Sequence, residues 1–334
     1  MVFTFAACGG GTDKAEAPGD AANGETGGSV QLRLGHALSE GTPANDAIHQ
    51  FCKDVEEKTE GRVSIKDFPN SQLGSETEML EQVKIKSLES AAIMVGSMQS
   101  VDMKMAIEDL PYMWKTIENA RAAYDGDFGK ELEKIMAEHK FHGFGFVEWG
   151  FRHITNNKKP IVQPEDLKGT KIRVAQTKLR VDAFEQIGAL PTVLAFSELY
   201  GALQQGVVDA QENPLANIYA ANFNEVQKYL SLTGHFYNTI MLVMHEDVWN
   251  QISAEDQETI LSLSEELKLE VRKQNDLKEE DYINQLKSKG MEVNDDVDKE
   301  AFRDAMAPVY EKWENDVFGT ELMDVYRQFS GWEE

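Results

Sequence analysis

From Val30 onward, apolar and polar positions alternate. Val30, Leu32 and Leu34 fall on one side and Gln31 and Arg33 on the other, the period of a half-buried strand. Thr42 followed by Pro43 predicts a helix start, with the run continuing to about Glu60. Arg62 to Asp67 alternates again. Ser75 and Glu78 form a capping box that opens a second helix. Ala91 to Val95 reads as a short buried strand ending at Gly96, Thr116 to His139 as helix interrupted near Gly126, and Phe141 to Val147 as a strand. This β-α-β-α-β order predicts a parallel-rich sheet flanked by helices.

A second α/β unit is expected from about Gly150. Arg152 to Thr155, Lys171 to Ala175, Thr192 to Leu194 and Val207 to Ala210 read as strands. Lys178 to Ile187, Ser197 to Gln205 and the stretch after Pro214 read as helices. Phe236 to His245 is apolar and long enough to return to the first sheet. Ser253 then caps a run to Lys289 without proline or glycine, with Ile260, Leu263, Leu267 and Val271 marking its apolar stripe. At 1.5 Å per residue such a helix spans roughly 50 Å, longer than one small domain. Two more helices, near Lys299 to Val317 and Thr320 to Phe329, close the chain.

A length of 334 residues fits two domains, and 41% apolar content is enough for a sizeable core. The formal charge of −25 argues against nucleic acid, which needs a basic stripe, and against an anionic membrane surface. An anionic ligand would need a locally built, sheltered site. The two cysteines, Cys8 and Cys52, make neither a metal motif nor a disulfide framework, and Cys52 sits in a helical pattern as a small core residue. Catalytic signatures are missing: His245-Glu246 lacks a second histidine four positions on, there is no Gly-x-Ser-x-Gly elbow and no phosphate loop, and Gly143 and Gly145 are followed by Glu148 where a dinucleotide fingerprint needs glycine. No metal or cofactor is expected. His235 reads as a hydrogen-bonded structural residue, and the clustered methionines Met94, Met98, Met103, Met105 and Met113 as core filler.

The stretch Asp166-Leu-Lys-Gly-Thr-Lys-Ile-Arg-Val174 carries the most pointed signal. Gly169 breaks the chain, and Ile172 and Val174 then share one strand face with Arg173 on the other. Arg173 is either a solvated residue on an edge strand or a guanidinium held at a cleft, where its planar fork of donors matches a carboxylate. Glu198, Asp209 and Glu212 are candidates for an acid–base pair, although structural roles suit them better. Asn213 fits a turn or helix cap before Pro214, or a ligand contact at a strand end. Phe196 fits a core position as well as a ligand wall.

Five pieces occur in order: Gly150-Phe-Arg152, Gly169-Thr-Lys-Ile-Arg173, Phe196-Ser-Glu-Leu-Tyr200, Val208-Asp-Ala-Gln-Glu-Asn213 and Glu225-Val-Gln-Lys-Tyr229. From about Val30 to its end the chain resembles the solute-binding proteins of tripartite ATP-independent periplasmic (TRAP) transporters, the DctP-type family. The resemblance implies an α/β, two-lobed periplasmic binding protein fold with a hinge and a long helix bracing both lobes. It implies a monomeric, extracytoplasmic protein that captures a carboxylate, such as a C4-dicarboxylate or a sugar acid like a uronate, and delivers it to small and large TRAP membrane subunits. Lobe I is expected from residues 30–149 plus 238–278, and lobe II from 150–237 plus 279–334. The family pattern makes Arg173 the carboxylate clamp, Arg152 a second cation and Asn213 a ligand contact. Glu212 is expected behind them, orienting Arg173 or a water; Trp149, His36 and Met98 are expected in the wall. Phe3 to Cys8 looks like the tail of a lipoprotein signal, which would make Cys8 a lipid anchor and Gly9 to Ser29 a flexible tether in an unfolded segment 1–29. The rivals are an enzyme of carboxylate metabolism, a ligand-sensing module reporting to a receptor, and the binding protein of an ATP-driven importer.

Overall fold

The computed structural model describes residues 29–332, so Cys8 and most of the expected tether lie outside the described residues. The elements follow in order β1 (Val30–His36), α1 (Pro43–Lys58), β2 (Val63–Phe68), α2 (Glu76–Lys84), β3 (Ser90–Met94), α3 (Ile117–Asp125), α4 (Asp127–Glu138) and β4 (Phe141–Asn156). Next come β5 (Lys171–Val174), α5 (Lys178–Gln186), β6 (Leu190–Val193), α6 (Phe196–Gln204), β7 (Ala210–Pro214), α7 (Leu215–Ala220), β8 (Tyr229–Ser231) and β9 (Tyr237–His245). The C-terminal part is α8 (Glu246–Trp249), α9 (Ala254–Ser288), β10 (Glu292–Asn294), α10 (Lys299–Trp313) and α11 (Gly319–Arg327).

The expected helix starts are present. The Thr42 hydroxyl accepts from Asn45 N–H with Pro43 in the first turn, and Ser75 and Glu78 make a reciprocal capping box. Each satisfies N–H groups that a helix start would otherwise leave open. Cys52 is buried in α1 among Ile48, Phe51 and Val55.

Strands follow one another in the order β2-β1-β3-β9-β4-β7-β5-β6. Parallel β1, β2 and β3 form one half with antiparallel β9 and the first part of β4. Parallel β5, β6 and β7 form the other half with the end of β4. Separate strands expected at Phe141 to Val147 and Arg152 to Thr155 are one 16-residue strand. Phe141 to Phe151 pairs with β9; Arg152 to Asn156 pairs with β7. A register shift between Glu148 and Gly150 precedes the change of partner, and Gly150 has φ +103°, a backbone conformation open to glycine at little cost. Gly150, where the pattern predicts a second unit to begin, therefore bends the strand without ending it.

Helix α9 is the unbroken brace the pattern predicted. It packs on α1 and β4 at one end and on α7 and β10 at the other, so one element touches both halves. Of the last helices, α10 lies on α5 and α11 on α4. A core cluster runs beneath the junction from Met79 and Phe128 to Phe184 and Phe302.

Candidate functional site

The carboxyl ends of the strands converge on a cavity between the two halves, with about 420 Å³ of atom-free space. Ala37 follows β1, Met94 ends β3, Ala175 and Gln176 follow β5, Ala195 and Phe196 follow β6, and Asn213 lies near the end of β7. Open α/β sheets bind ligands there because loops leave the strand ends and the topology opens a crevice. At the rim, the Thr77 hydroxyl of α2 donates to Gln176 Oε1 at 3.3 Å, so the two sides meet over the cavity.

Strand β5 is not an edge: it lies between β7 and β6. Arg173 is 3% exposed, and its Nε and Nη2 donate to the Leu194 carbonyl at 3.0 and 2.7 Å. These bonds lock the guanidinium plane, yet a neutral carbonyl is all they engage. Among the described residues no carboxylate forms an ion pair with Arg173. Burial accordingly pulls its pKa down to about 9, against the opposing pull of Glu212. It remains a cation at neutral pH, with unused N–H donors at the cavity.

Arg152 stands beside it, fully buried. Its Nε donates to Glu212 Oε2, and its Nη2 to the Glu212 carbonyl at 2.6 Å and to Asn213 Oδ1 at 3.0 Å. Nη1 is buried without a partner. The guanidinium lies 5.6 Å from the Trp149 ring centroid, within cation–π range. Asn213 holds its amide by donating to Gln211 Oε1 at 2.6 Å. Five of the expected residues, Trp149, Arg152, Arg173, Phe196 and Asn213, thus line one cavity.

Glu212 sits behind this wall, holding Arg152 and also Arg180 of α5, whose Nη1 donates to Glu212 Oε1 at 3.0 Å. It makes no hydrogen bond to Arg173. Burial pushes the Glu212 carboxyl up, but Arg152 and Arg180 outweigh it and hold the group well below the usual carboxylate range. Arg180 also donates to Asp109 Oδ1 at 2.7 Å and to Asn238 Oδ1 at 2.6 Å, tying α5 to the first half of the molecule. His235 confirms its structural reading: its Nδ1 meets the Thr233 hydroxyl at 2.7 Å in a fully buried setting.

His36 and Met98 do not line the cavity. His36 is fully buried with both ring nitrogens unpartnered, and burial lowers its pKa to about 4. Met98 belongs to the first core, and Met94, at the end of β3, reaches the cavity instead. Sequence reasoning missed Ser71, Ser75 and Glu76 from the first half. Glu76 is the first residue of α2; its Oε1 accepts from Met94 N–H at 2.9 Å and its Oε2 from the Ser97 hydroxyl at 2.7 Å. Burial raises the Glu76 carboxyl, and these two donors work against that. The capping box at Ser75 was the available signal, since it fixes Glu76 at the start of a helix. Asn70 and Ser71, both left-handed at φ 54° and 57°, show the strain that often gathers at functional sites.

Residues 34–316 match the family model for bacterial extracellular solute-binding protein, family 7, DctP. The chain belongs to this family. A solute-binding protein from Verminephrobacter eiseniae is 34% identical over 296 residues, covering 89% of this chain and 88% of the relative. The structure of a TRAP periplasmic solute-binding protein from a Polaromonas species, bound to D-erythronate, aligns with TM-score 0.87 and 36% identity over 91% of this chain and all of that one. A TRAP periplasmic solute-binding protein from Sulfurospirillum deleyianum, with bound succinate, aligns with TM-score 0.83 and 31% identity over 89% of this chain and 98% of that one. DctP family members of this kind are binding proteins built from two lobes, which is the architecture seen here. No helix among the described residues is long and apolar enough to cross a membrane.

Proposed function

We propose that this protein captures a small organic acid in the cavity between its two halves and presents the loaded form to TRAP membrane subunits for import. The observation that carries the reading is Arg173: a buried, immobilised guanidinium with no carboxylate partner of its own. A buried charge of this kind is costly unless a counter-ion arrives, and a ligand carboxylate supplies it. Arg152 Nη1 and the Asn213 amide add donors from the same wall, while Phe196 and Trp149 cover the carbon skeleton. Glu212 keeps Arg152 in place. D-erythronate and succinate in the related structures support a carboxylate as the common denominator.

The chain works by binding rather than catalysis in this reading, as a monomer outside the cytoplasm with no nucleic-acid partner. Its lobes, 30–149 plus 238–278 and 150–237 plus 279–334, close about the crossing of β4 and β9. Cys8 would tether it to a membrane through lipid. The test is a thermal-shift screen against C4-dicarboxylates, aldonates, uronates and neutral sugars. Acids should raise the melting temperature with concentration, as expected when a ligand binds only the folded state. A response to the neutral sugars and to none of the acids would refute the reading.

A further inference from the structure

The cavity has two chemically different sides. The Arg173 side offers one cation that the protein leaves uncompensated, because the charge on Arg152 is matched by Glu212. Opposite it, the first half contributes Glu76, Ser71 and Ser75 and no lysine or arginine. The Glu76 carboxylate is fixed by Met94 N–H and the Ser97 hydroxyl, one donor on each oxygen, and forms no ion pair among the described residues. Each oxygen retains capacity to accept another hydrogen bond. The start of α2 would otherwise favour an anion, but Glu76 and Glu78 already occupy its first turn.

We infer that Glu76 sets the ligand class, selecting a hydroxylated monocarboxylate whose carboxylate lies on Arg173 and whose hydroxyl donates to Glu76. A dicarboxylate of equal chain length brings its second charge against Glu76, and the other cation lining the cavity, Arg152, is already paired with Glu212. Specificity of this kind comes from the repulsive element as much as from the attractive one. The inference rests on the carboxylate reading of the same cavity and adds which carboxylates enter.

Calorimetric titration of the wild type and of Glu76→Gln with D-erythronate and with succinate, at about pH 8, tests it. The two probes share a four-carbon chain and one carboxylate; D-erythronate carries hydroxyls on its other three carbons, whereas succinate carries none and ends in a second carboxylate. The wild type should bind D-erythronate at least tenfold more tightly than succinate. Glu76→Gln, which keeps the shape and removes the charge, should weaken D-erythronate about tenfold and strengthen succinate, collapsing the ratio. A wild type that prefers succinate, or a ratio unchanged in Glu76→Gln, overturns this inference and leaves the carboxylate reading standing. Failure of both acids to bind the wild type, together with no response to any acid in the wider screen, overturns the two together.

Discussion

Two buried guanidiniums lie close to one another in this protein, in regions that use them in opposite ways. At the junction, Arg180 is surrounded by answers to its charge: Asp109, Glu212 and the Asn238 side chain. At the cavity wall, Arg173 has only the Leu194 carbonyl. Burial lowers the Arg180 pKa less than Asp109 and Glu212 raise it, so the net shift is upward; at Arg173 burial wins. The same side chain is structural where the fold completes its interactions and available for binding where the fold leaves them incomplete. Incompleteness alone does not make a site, however. His36 is equally unpartnered, but it does not line this cavity.

The largest expected effect tests the junction. Arg180→Met leaves Asp109 and Glu212 buried without their shared cation, and breaking a buried pair from one side typically costs about 3–5 kcal/mol. Urea unfolding of the ligand-free protein should show that loss. A midpoint unchanged from wild type would mean the junction does not depend on this cluster.

Arg173→Ala should do the reverse. Ligand-free stability should stay within ~1 kcal/mol of wild type, because no carboxylate is abandoned. Affinity for the screened acid should fall by two to four decades, corresponding to about 3–5 kcal/mol for a buried charge deprived of its partner. Asn213→Ala removes one donor to the ligand and should cost less, on the order of 1.5–3 kcal/mol. Calorimetry on both variants checks the ranking. Binding by Arg173→Ala within about threefold of wild type would remove Arg173 as the clamp.

The last effect, at His36, is a change of slope with pH and leaves the cavity untouched. Its folded-state pKa of about 4 lies below the ordinary value for histidine, so the unfolded chain takes up its proton first as pH falls. The His36 contribution to stability is complete above about pH 6.5 and is lost as pH falls toward 4. His153, lowered to about 3 by burial and then by His235, adds to the same slope. In His36→Leu, stability between about pH 6.5 and 4 should fall less steeply, by up to ~1.4 kcal/mol per pH unit. Ligand affinity at neutral pH should not move. Thermal melts across this range test the slope, and an identical pH profile would show that His36 is not held neutral.

The contrast between the cavity walls explains what was readable. The Arg173 side lies on short strands with strong alternation and on motifs in fixed order, so Arg152, Arg173, Phe196 and Asn213 were nameable from the chain. The strand carrying Asn213 was expected at Val207 to Ala210 and lies at Ala210 to Pro214. Gln211-Glu212-Asn213 reads as a polar turn, yet all three are at most 1% exposed. Buried partners, Arg152 above all, make that burial tolerable, and they come from elsewhere in the chain. On the opposite wall, His36 and Met98 were plausible by type, but Met94, Ser71 and Glu76 hold the positions. A shift of a few residues decides which side chain faces a cavity, and the local pattern does not resolve it.

Periodicity, caps and the proline-free run after Ser253 determined the α/β class, most element starts and the long brace, because these depend on neighbours within a few residues. The ordered motifs determined the family. Tertiary structure alone decided that β4 runs unbroken from one half to the other, that Glu212 serves Arg152 and Arg180, and that Glu76 and Arg173 line one cavity. The physical reason is that charge compensation is settled among groups far apart in sequence. Arg152 and Glu212 are 60 residues apart, and Arg180 and Asp109 are separated by 71. Whether a buried arginine is satisfied or left waiting is therefore written in the packing of distant strands and helices, and in no single stretch of the chain.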